Sequence, residues 1–555
     1  MISIKKVFAV ITVAVFSASC IFTQAYIEDE EIIDLLNEDV DPVYVNDPGD
    51  LDDNLLPASK FIMTVVEATH EHDLNPQTST FISDAQIFTG IYEGLFSYDP
   101  VTLEPLPAIC VSYKISRDKK RWTFKLRENA RFSDGSYITA NDVRRSWIQL
   151  LATPSAAYSS MLDIIEGARE FRTGTGHEEN VAITVVSPDT VSIRLKTPAS
   201  YLPRLLCHSA FSVIHRNPTV YSGPYAISDM QSGQLFLEKN EFYWDAENVN
   251  LKMICFFQSL GAEENTYFFN TGFSEWISSY EIQTQNIINQ KALHYDAEFG
   301  TEYMFFKTTK VKPLAKGLRA VWDIPDFRQA VMEVMPWEEL RKNNIVKAET
   351  LVYPLTGYPQ VEGYSYTDAN EALLLMNDAR KKHNIPEDEK IPLKMLMAEG
   401  SFTDAEFSLL KSSLEPLGIE LTIEYVPSAQ YFYMADSGDA DIVSYNWIGD
   451  FADPLAFLEL FRGDSTLNIS GWKNKDFDRL IDEAALATGT KRYELLAQAE
   501  RILLDEGMVM PLSHPVSLST INTDEIGGWY PNALSLHPLK YLFKKDVKPD
   551  FTNCF

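Results

Sequence analysis

The chain of 555 residues has few cysteines, a shortage of basic residues and no long apolar run beyond its N-terminal segment. Five cysteines cannot form a disulfide lattice that holds a protein of this size together. The 48 basic side chains face 79 acidic ones, and the net charge of −31 argues against nucleic-acid binding because phosphates would be repelled. Since no later stretch holds about 18 uninterrupted apolar residues, the mature chain has no predicted membrane span.

The sequence also lacks the short motifs that mark common enzyme sites. It contains no Gly-x-x-x-x-Gly-Lys phosphate loop, no His-Glu-x-x-His zinc helix and no Gly-x-Ser-x-Gly elbow. His70-Glu71-His72-Asp73 offers metal-ligating groups, but the sequence identifies no distant partner for them, so a plain loop is the favoured interpretation. We therefore predict a binding protein with no catalytic residue, no metal and no cofactor.

The N-terminus is typical of an export signal, predicted over residues 1–25. Two lysines precede the apolar run 7–16, which is too short to span a bilayer comfortably. Two processing routes fit. Residues 17–20 form a loose lipoprotein site that would leave Cys20 acylated, although the usual leucine three positions before the cysteine is missing. Residues 23–25 suit an ordinary signal peptidase; we favour the lipoprotein route.

Residues 26–54 form an acidic segment that contains no Lys or Arg between positions 28 and 53. Such a composition predicts a solvated tether rather than a folded domain. If Cys20 is acylated, four cysteines remain, at positions 110, 207, 255 and 554. A Cys207–Cys255 bridge and two buried free thiols both fit, since both residues lie in apolar, strand-like segments.

Hydrophobic periodicity changes along the chain. The first half predicts strands at 61–66, 122–127, 181–186, 190–195, 225–228 and 235–238, and a helix at 83–95. A further helix begins after Thr139, where Asp142 completes a capping pattern. The second half alternates helices with strands, which is typical of α/β proteins. Its predicted helices are 327–343, 367–384, 404–417, 475–487 and 491–506, and its strands are 393–397, 420–425 and 441–445.

The strongest functional signal is the segment Trp-Ile-Gly-Asp-Phe-Ala-Asp-Pro at residues 447–454. Because Pro454 disfavours helix in the residue before it, we expect Asp450 on a loop or a strand end, where recognition groups tend to be held. A carboxylate beside an aromatic ring is a ready partner for a small cation such as an amino group. The alternatives are a turn-forming or helix-capping Asp450 and a Trp447 that only packs in the core.

Other unusual segments occur in a fixed order along the chain. They are Leu74-Asn75-Pro76, Ile91-Tyr92-Glu93-Gly94-Leu95, Trp122 to Arg127, Phe132-Ser133-Asp134-Gly135, Thr139 to Val143, Gly223-Pro224-Tyr225, Leu237 to Asn240 with Tyr243-Trp244, Phe327 to Ala330 and Asn474 to Asp478. Together with residues 447–458, this series resembles the extracytoplasmic solute-binding proteins of family 5, the oligopeptide- and dipeptide-binding components of ABC importers. The resemblance covers residues 60 to 545.

The resemblance implies an α/β, two-lobed periplasmic-binding-protein-like fold of class II, in the large cluster with an extra domain. The ligand cleft would lie between the lobes. The first lobe would consist of residues 55–300 and 511–545, with an extra subdomain near 97–205. The second lobe would consist of residues 301–510.

The resemblance also assigns ligand-binding residues. The aspartate that matches Asp450 pairs with the ligand's α-amino group, and the backbone of Trp447, Ile448 and Gly449 would meet the peptide main chain. Tyr158 resembles an aromatic residue that lines the cleft, and Phe81 lies in a matched segment, 80–82, whose extended backbone also meets the ligand.

Two departures from the family leave peptide length and C-terminal recognition open. Lys307 stands where relatives usually carry Asp or Asn, and residues 443–446 lack an arginine that some relatives place against the ligand carboxylate.

We therefore predict a monomeric, extracytoplasmic or periplasmic receptor that binds extended peptides with a free amino terminus and delivers them to ABC permease subunits for import. Contact with the membrane would be limited to the lipid anchor. The alternatives are the same fold loaded with a sugar, a nickel chelate or haem, a surface lipoprotein or adhesin that has lost transport, and a hydrolytic enzyme whose acidic pair the sequence does not reveal.

Acylation of Cys20 is testable on the natively expressed protein. We expect the mature chain to partition into the detergent phase of a Triton X-114 extraction, and its N-terminal peptide to carry lipid mass in mass spectrometry. Recovery of a water-soluble chain that begins at Tyr26 would show ordinary cleavage instead, and the lipoprotein interpretation would then be dropped.

Overall fold

The computed structural model describes residues 60–231, 233–309, 317–449, 451 and 453–545. The predicted export signal, Cys20, the acidic tether, Asp450 and Cys554 lie outside the described residues. Among the described residues, no helix has the length and apolar character needed to cross a bilayer.

Strands build three main sheets and two small ribbons. In chain order they are β1 Ile62–Glu67, β2 Phe96–Tyr98, β3 Pro105–Pro107, β4 Cys110–Ile115, β5 Arg121–Leu126, β6 Ile183–Ser187, β7 Thr190–Arg194, β8 Tyr225–Gln231, β9 Gln234–Lys239, β10 Met253–Gln258, β11 Trp276–Ile277, β12 Leu293–Ala297, β13 Gly300–Phe306, β14 Ile391–Ala398, β15 Ile419–Val426, β16 Ile442–Ile448, β17 Val509–Ser513, β18 Val516–Ile521, β19 Ile526–Gly527 and β20 Phe543–Lys544.

Helices pack against the sheets. The α-helices are α1 Ile82–Ile91, α2 Ala140–Ala152, α3 Ala168–Arg172, α4 Leu202–Leu205, α5 Ala262–Asn270, α6 Pro325–Val334, α7 Trp337–Leu340, α8 Ala369–Lys382, α9 Asp404–Leu414, α10 Ser428–Ser437, α11 Leu455–Leu458, α12 Lys475–Leu486 and α13 Gly489–Asp505. Short 3₁₀ helices span Ser159–Ile164, Glu178–Asn180, Ser209–Phe211, Ala246–Asn248, Thr284–Asn286, Gln290–Ala292, Gly317–Asp323, Glu415–Leu417, Glu459–Phe461 and Leu539–Tyr541.

The first lobe is built on a seven-stranded sheet with the order β12-β18-β11-β1-β10-β9-β8. Its central strand β1 is an almost continuous apolar run that pairs in parallel with β10 and β11, as expected of a strand covered on both faces. Met63 and Val65 of β1 are fully buried in one hydrophobic cluster with Ile87 and Phe88 of α1. This packing fixes the position of α1 and of the loop that precedes it.

The second lobe is built on a five-stranded sheet with the order β15-β14-β16-β13-β17. The chain passes between the two lobe sheets at residues 297–300, which join β12 to β13, and at 513–516, which join β17 to β18. A separate four-stranded antiparallel sheet, β4-β5-β7-β6, forms within residues 110–194. The domain boundaries predicted from the sequence stay a prediction.

Most of the predicted elements are present, including the alternation of helix and strand in the second half. The capping pattern before α2 is also confirmed, since the Asp142 carboxylate accepts a hydrogen bond from the Thr139 N–H at 3.0 Å. The single helix predicted over residues 327–343 is wrong. The structure has two helices there, because Met335 precedes Pro336 and is extended, with ψ of 134°. Cys207 and Cys255 are free thiols, so they form no bridge.

Candidate functional site

A cleft of about 660 Å³ lies between elements of both lobes. A space of this size suits a small ligand. The first-lobe wall comprises residues near the start of α1 and the turn that follows that helix. The second-lobe wall comprises the end of β16, part of β13 and the inner face of α10, and the segments 154–158 and 207–212 close one side.

Aromatic rings form a continuous line across the cleft. Phe81, at the start of α1, meets Phe432 of α10 edge-to-face with ring centroids 5.3 Å apart. Phe432 lies 5.5 Å from Tyr445 of β16, and Tyr445 lies 5.4 Å from Phe305 of β13. Because these rings come from both lobes, the Phe81–Phe432 contact crosses the cleft. The walls therefore offer apolar surface to a ligand.

The structure brings five of the six predicted ligand-binding residues together in the cleft lining. These are Phe81, Tyr158, Trp447, Ile448 and Gly449, and the sixth, Asp450, lies outside the described residues. Their assignment as ligand contacts stays a prediction.

Trp447 and Gly449 also have clear packing roles at the end of β16. The Trp447 indole is 8% exposed and donates a hydrogen bond to the carbonyl of Ala456 at 3.0 Å. A Cβ at Gly449 would stand 2.5 Å from ring atoms of Phe299, so a larger residue would displace that ring. These contacts fix the backbone immediately before Asp450.

Strand β16 has one open edge in the cleft. Strand β13 pairs with β16 from Ile442 to Ile448, whereas β14 pairs with it only at Ile442 and Val443. The Ser444 backbone exchanges hydrogen bonds with the Tyr431 hydroxyl, at 2.8 Å from its N–H and 2.7 Å to its carbonyl.

The open edge has a defined set of backbone groups. The Gly449 N–H points the opposite way from Ser444 and donates to the Phe299 carbonyl beside β13 at 2.7 Å. Backbone directions alternate along a strand. The N–H and C=O groups of Asn446 and Ile448 therefore point away from β13, and both residues line the cleft.

The Asp453 carboxylate links helix α13 to the start of helix α11. Its carboxylate accepts a hydrogen bond from Arg492 Nη2 at 2.7 Å and another from the Leu455 N–H at the start of α11 at 3.0 Å. Both side chains of the Asp453–Arg492 pair are at most 10% exposed. The second acidic residue of the 447–454 segment is therefore part of the scaffold.

Lys307 also has a structural role, which accounts for one departure from the family. The side chain is fully buried, and its ammonium donates hydrogen bonds to the carbonyls of Ala435 and Asp436 at the C-terminal end of α10. A cation there complements the partial negative charge of the helix end. Lys307 therefore holds α10, the helix that carries Phe432.

Charged side chains in the described lining are few: Glu93, Lys540 and Asp436. Burial raises the pKa of Glu93, whose carboxylate accepts hydrogen bonds from the Tyr243 hydroxyl and the Trp244 indole. Lys540 Nζ lies 3.6 Å from the same carboxylate. Asp436 is exposed on α10. Lys540, the only Lys or Arg in the described lining, is therefore paired with Glu93.

Hydrogen bonds connect residues 157–172 to the second lobe. Thr466 Oγ1 donates to the Ala157 carbonyl at 2.5 Å, and Ser160 Oγ lies 3.4 Å from a carboxylate oxygen of Glu459. Arg172 contacts the Asp464 carbonyl at 3.2 Å. Burial raises the pKa of Glu459 to about 7, in spite of Arg462 nearby. Residues 157–172 are therefore hydrogen-bonded to the second lobe in this conformation.

Comparisons with known proteins match this chain to solute-binding and peptide-binding proteins. The family described as bacterial extracellular solute-binding proteins, family 5 Middle, matches residues 104–468. The oligopeptide-binding protein OppA of Bacillus subtilis is 25% identical over 479 residues, which cover 80% of this chain and 86% of that protein.

Two solved structures share the fold. OppA of Listeria monocytogenes bound to peptide has a TM-score of 0.74 at 21% identity, covering 88% of this chain and 100% of that one. The unliganded open form of the periplasmic murein tripeptide-binding protein MppA has a TM-score of 0.58 at 20% identity, covering 88% and 98%. These likenesses confirm the predicted two-lobed α/β fold.

The role assigned to Asp453 gives a stability prediction. Asp453→Ala should leave Arg492 buried without its carboxylate partner, and breaking a buried pair in this way costs about 3–5 kcal/mol. Urea denaturation should therefore show a large loss of unfolding free energy. The matched control Asp388→Ala, at an exposed position, should change it by less than about 0.5 kcal/mol. Equal stabilities of the two variants would contradict the scaffold role of Asp453.

Proposed function

This chain belongs to the bacterial extracellular solute-binding proteins of family 5, and on that premise we propose that it binds extended peptides in the cleft and delivers them to an ABC importer. Binding needs no chemistry, and we propose no catalytic step. The receptor acts as a monomer on the extracytoplasmic face of the membrane, where the acidic tether and an acylated Cys20 keep it close to the permease.

The observation that carries this proposal is the open edge of β16. An extended peptide has the same spacing of N–H and C=O groups as a strand, so it can pair with Asn446 and Ile448 as an added strand. Hydrogen bonds to the peptide main chain are independent of the ligand's side chains. The aromatic line from Phe81 to Phe305 then contacts whichever side chains point into the cleft.

Asp450 would fix the register of the peptide. Residue 450 directly follows Ile448 and Gly449 in the sequence, and we propose that its carboxylate meets the first residue of a peptide paired with the open edge. A peptide ammonium group in a closed cleft loses its hydration, and a carboxylate can compensate for that loss. Because Lys540 is paired with Glu93, the described lining offers no comparable anchor for the peptide carboxylate.

Delivery requires the cleft to open and close. We propose that the chain crossings at 297–300 and 513–516 form the hinge, since they are the links between β12 and β13 and between β17 and β18. The likeness to a peptide-bound relative is higher than the likeness to an unliganded open one, at TM-scores of 0.74 and 0.58. This difference supports a closed arrangement of the lobes here.

The amino-terminal anchor is testable by calorimetry with a two-by-two design. The probe is a peptide that co-purifies with the native protein, identified by mass spectrometry and synthesised with a free or an acetylated amino terminus. Removing one member of a buried charge pair costs about 2–5 kcal/mol, so Asp450→Ala should weaken binding of the free peptide by about 30-fold or more. The acetylated peptide should bind the wild type poorly and be little affected by the substitution.

Asp450→Asn keeps the shape of the side chain but removes its charge. If the charge is what binds the ammonium group, this variant should lose much of the affinity for the free peptide that Asp450→Ala loses. Arg492→Lys, which perturbs the neighbouring scaffold pair, controls for general damage and should weaken the free and acetylated peptides alike. If free and acetylated peptides bind the wild type equally well, Asp450 is not the amino anchor.

Closure is testable by small-angle scattering. The ligand-free protein, prepared by denaturation and refolding, should have a larger radius of gyration than the same protein saturated with the synthetic peptide, because the lobes separate when the cleft is empty. Asp450→Ala at the same peptide concentration should stay at the larger radius. An unchanged radius in the wild type, with binding confirmed by calorimetry, would rule out the hinge.

A further inference from the structure

Four ionisable side chains meet behind the cleft wall of the first lobe. Glu67 ends β1, His70 and His72 lie in the following loop, and Asp84 lies in the first turn of α1. Their side chains are 4%, 13%, 7% and 0% exposed, in that order. The sequence favoured a plain loop here because nothing in it identified Glu67 and Asp84 as partners of the two histidines.

The groups converge at hydrogen-bonding distance. His72 Nε2 lies 3.0 Å from Glu67 Oε1, and His72 Nδ1 lies 2.9 Å from Asp84 Oδ1. His70 Nε2 lies 2.9 Å from the same Asp84 oxygen. One ligand atom each from Glu67, His70 and His72 fall within 4.8 Å of one another.

The surroundings hold Asp84 in place independently of the histidines. Its second carboxylate oxygen accepts a hydrogen bond from Ser79 Oγ at 2.7 Å and another from the Asp73 N–H at 3.1 Å. A carboxylate fixed in this way can orient an imidazole by accepting its Nδ1–H, which is the arrangement found behind many metal-ligating histidines.

We propose that Glu67, His70 and His72 bind a divalent metal ion of the zinc class, with Asp84 as the positioning residue for His72. Two imidazole nitrogens and one carboxylate oxygen are a ligand set that zinc accepts, with a fourth position left for water.

The hydrogen bonds of both rings suit metal binding through Nε2. His70 Nδ1 lies 3.0 Å from the Ala68 carbonyl, and His72 Nδ1 lies 2.9 Å from Asp84 Oδ1. A neutral imidazole that keeps its proton on Nδ1 and donates it to such an oxygen presents Nε2 to a metal ion. Each ring can therefore be held by its Nδ1 hydrogen bond while its Nε2 acts as the ligand atom.

The site lies directly behind a cleft residue. The His70 ring is 5.8 Å from the Phe81 ring, and Phe81 is the first-lobe member of the aromatic contact across the cleft. A bound metal would fix the loop that leads to Phe81. The proposal does not depend on the identity of the cleft ligand, and its test uses no peptide.

The test is calorimetric titration of the metal-stripped, untagged mature chain with ZnCl₂, after accessible thiols are capped with iodoacetamide so that cysteines cannot mimic the site. We expect one zinc per chain, retained through gel filtration and counted by elemental analysis. Asp84→Asn should weaken binding by about 10–100-fold, and His72→Gln should weaken it further. The matched control His177→Gln, at an exposed histidine, should bind zinc as the wild type does.

A second measurement needs no variant. Diethyl pyrocarbonate modification, read by mass spectrometry, should show that zinc protects His70 and His72 in the wild type and leaves His177 reactive. The absence of stoichiometric zinc, or zinc that protects no residue of the cluster, would overturn the proposal and leave these side chains as an ion-pair cluster only. Unchanged zinc binding by His72→Gln would overturn it as well.

Discussion

The pairing of β16 with β13 on one edge only is the constraint on which the cleft depends. Strand β13 covers β16 along its whole length, while β14 leaves after Val443. The close approach of β13 and β16 requires a glycine at position 300, since a Cβ there would lie 2.6 Å from the Ile448 side chain. The ladder is therefore fixed on one side, and the backbone of Asn446 and Ile448 is held toward the cleft in a single position. In the proposed mode of binding, such preorganisation reduces the entropy that this strand of the receptor loses when a peptide pairs with it.

The surrounding side chains favour recognition of the main chain over recognition of ligand charge. Phe81, Phe432 and Tyr445 provide apolar walls, and Lys540 is already paired with Glu93. Burying a ligand side chain against these apolar walls is therefore favourable in free energy and requires no specific polar partner. Water between the ligand and such walls can replace direct contacts at small cost. This arrangement suits a receptor for peptides of varied sequence.

Much of the fold was predictable because it is encoded locally. The alternation of helix and strand follows from periodicity, and the capping pair Thr139–Asp142 is visible as two letters three positions apart. Pro336 also signals the helix break, but the apolar periodicity continues past it, so periodicity alone predicts one helix instead of two. The end of β16 could be singled out from the sequence because the motif at residues 447–454 is unusual in itself, and its residues 447–449 do line the cleft.

The rest of the site depends on contacts between distant parts of the chain. Phe81 and Phe432 are separated by 351 positions and meet only once both lobes are folded. The role of Lys307 needs the end of α10 beside β13, and Glu67 and Asp84 reach the two histidines only because β1 packs against α1. No spacing in the sequence carries that information.

Hydrogen exchange at two amides tests the central claim most directly. The N–H groups of Asn446 and Ile448 point to the open edge, so in the ligand-free protein they should exchange quickly. Saturation with the co-purifying peptide should slow both amides by at least about tenfold, while the Gly449 amide, already bonded to Phe299, should be protected in both states. Unchanged exchange at Asn446 and Ile448 in the presence of bound peptide would contradict strand addition as the mode of binding.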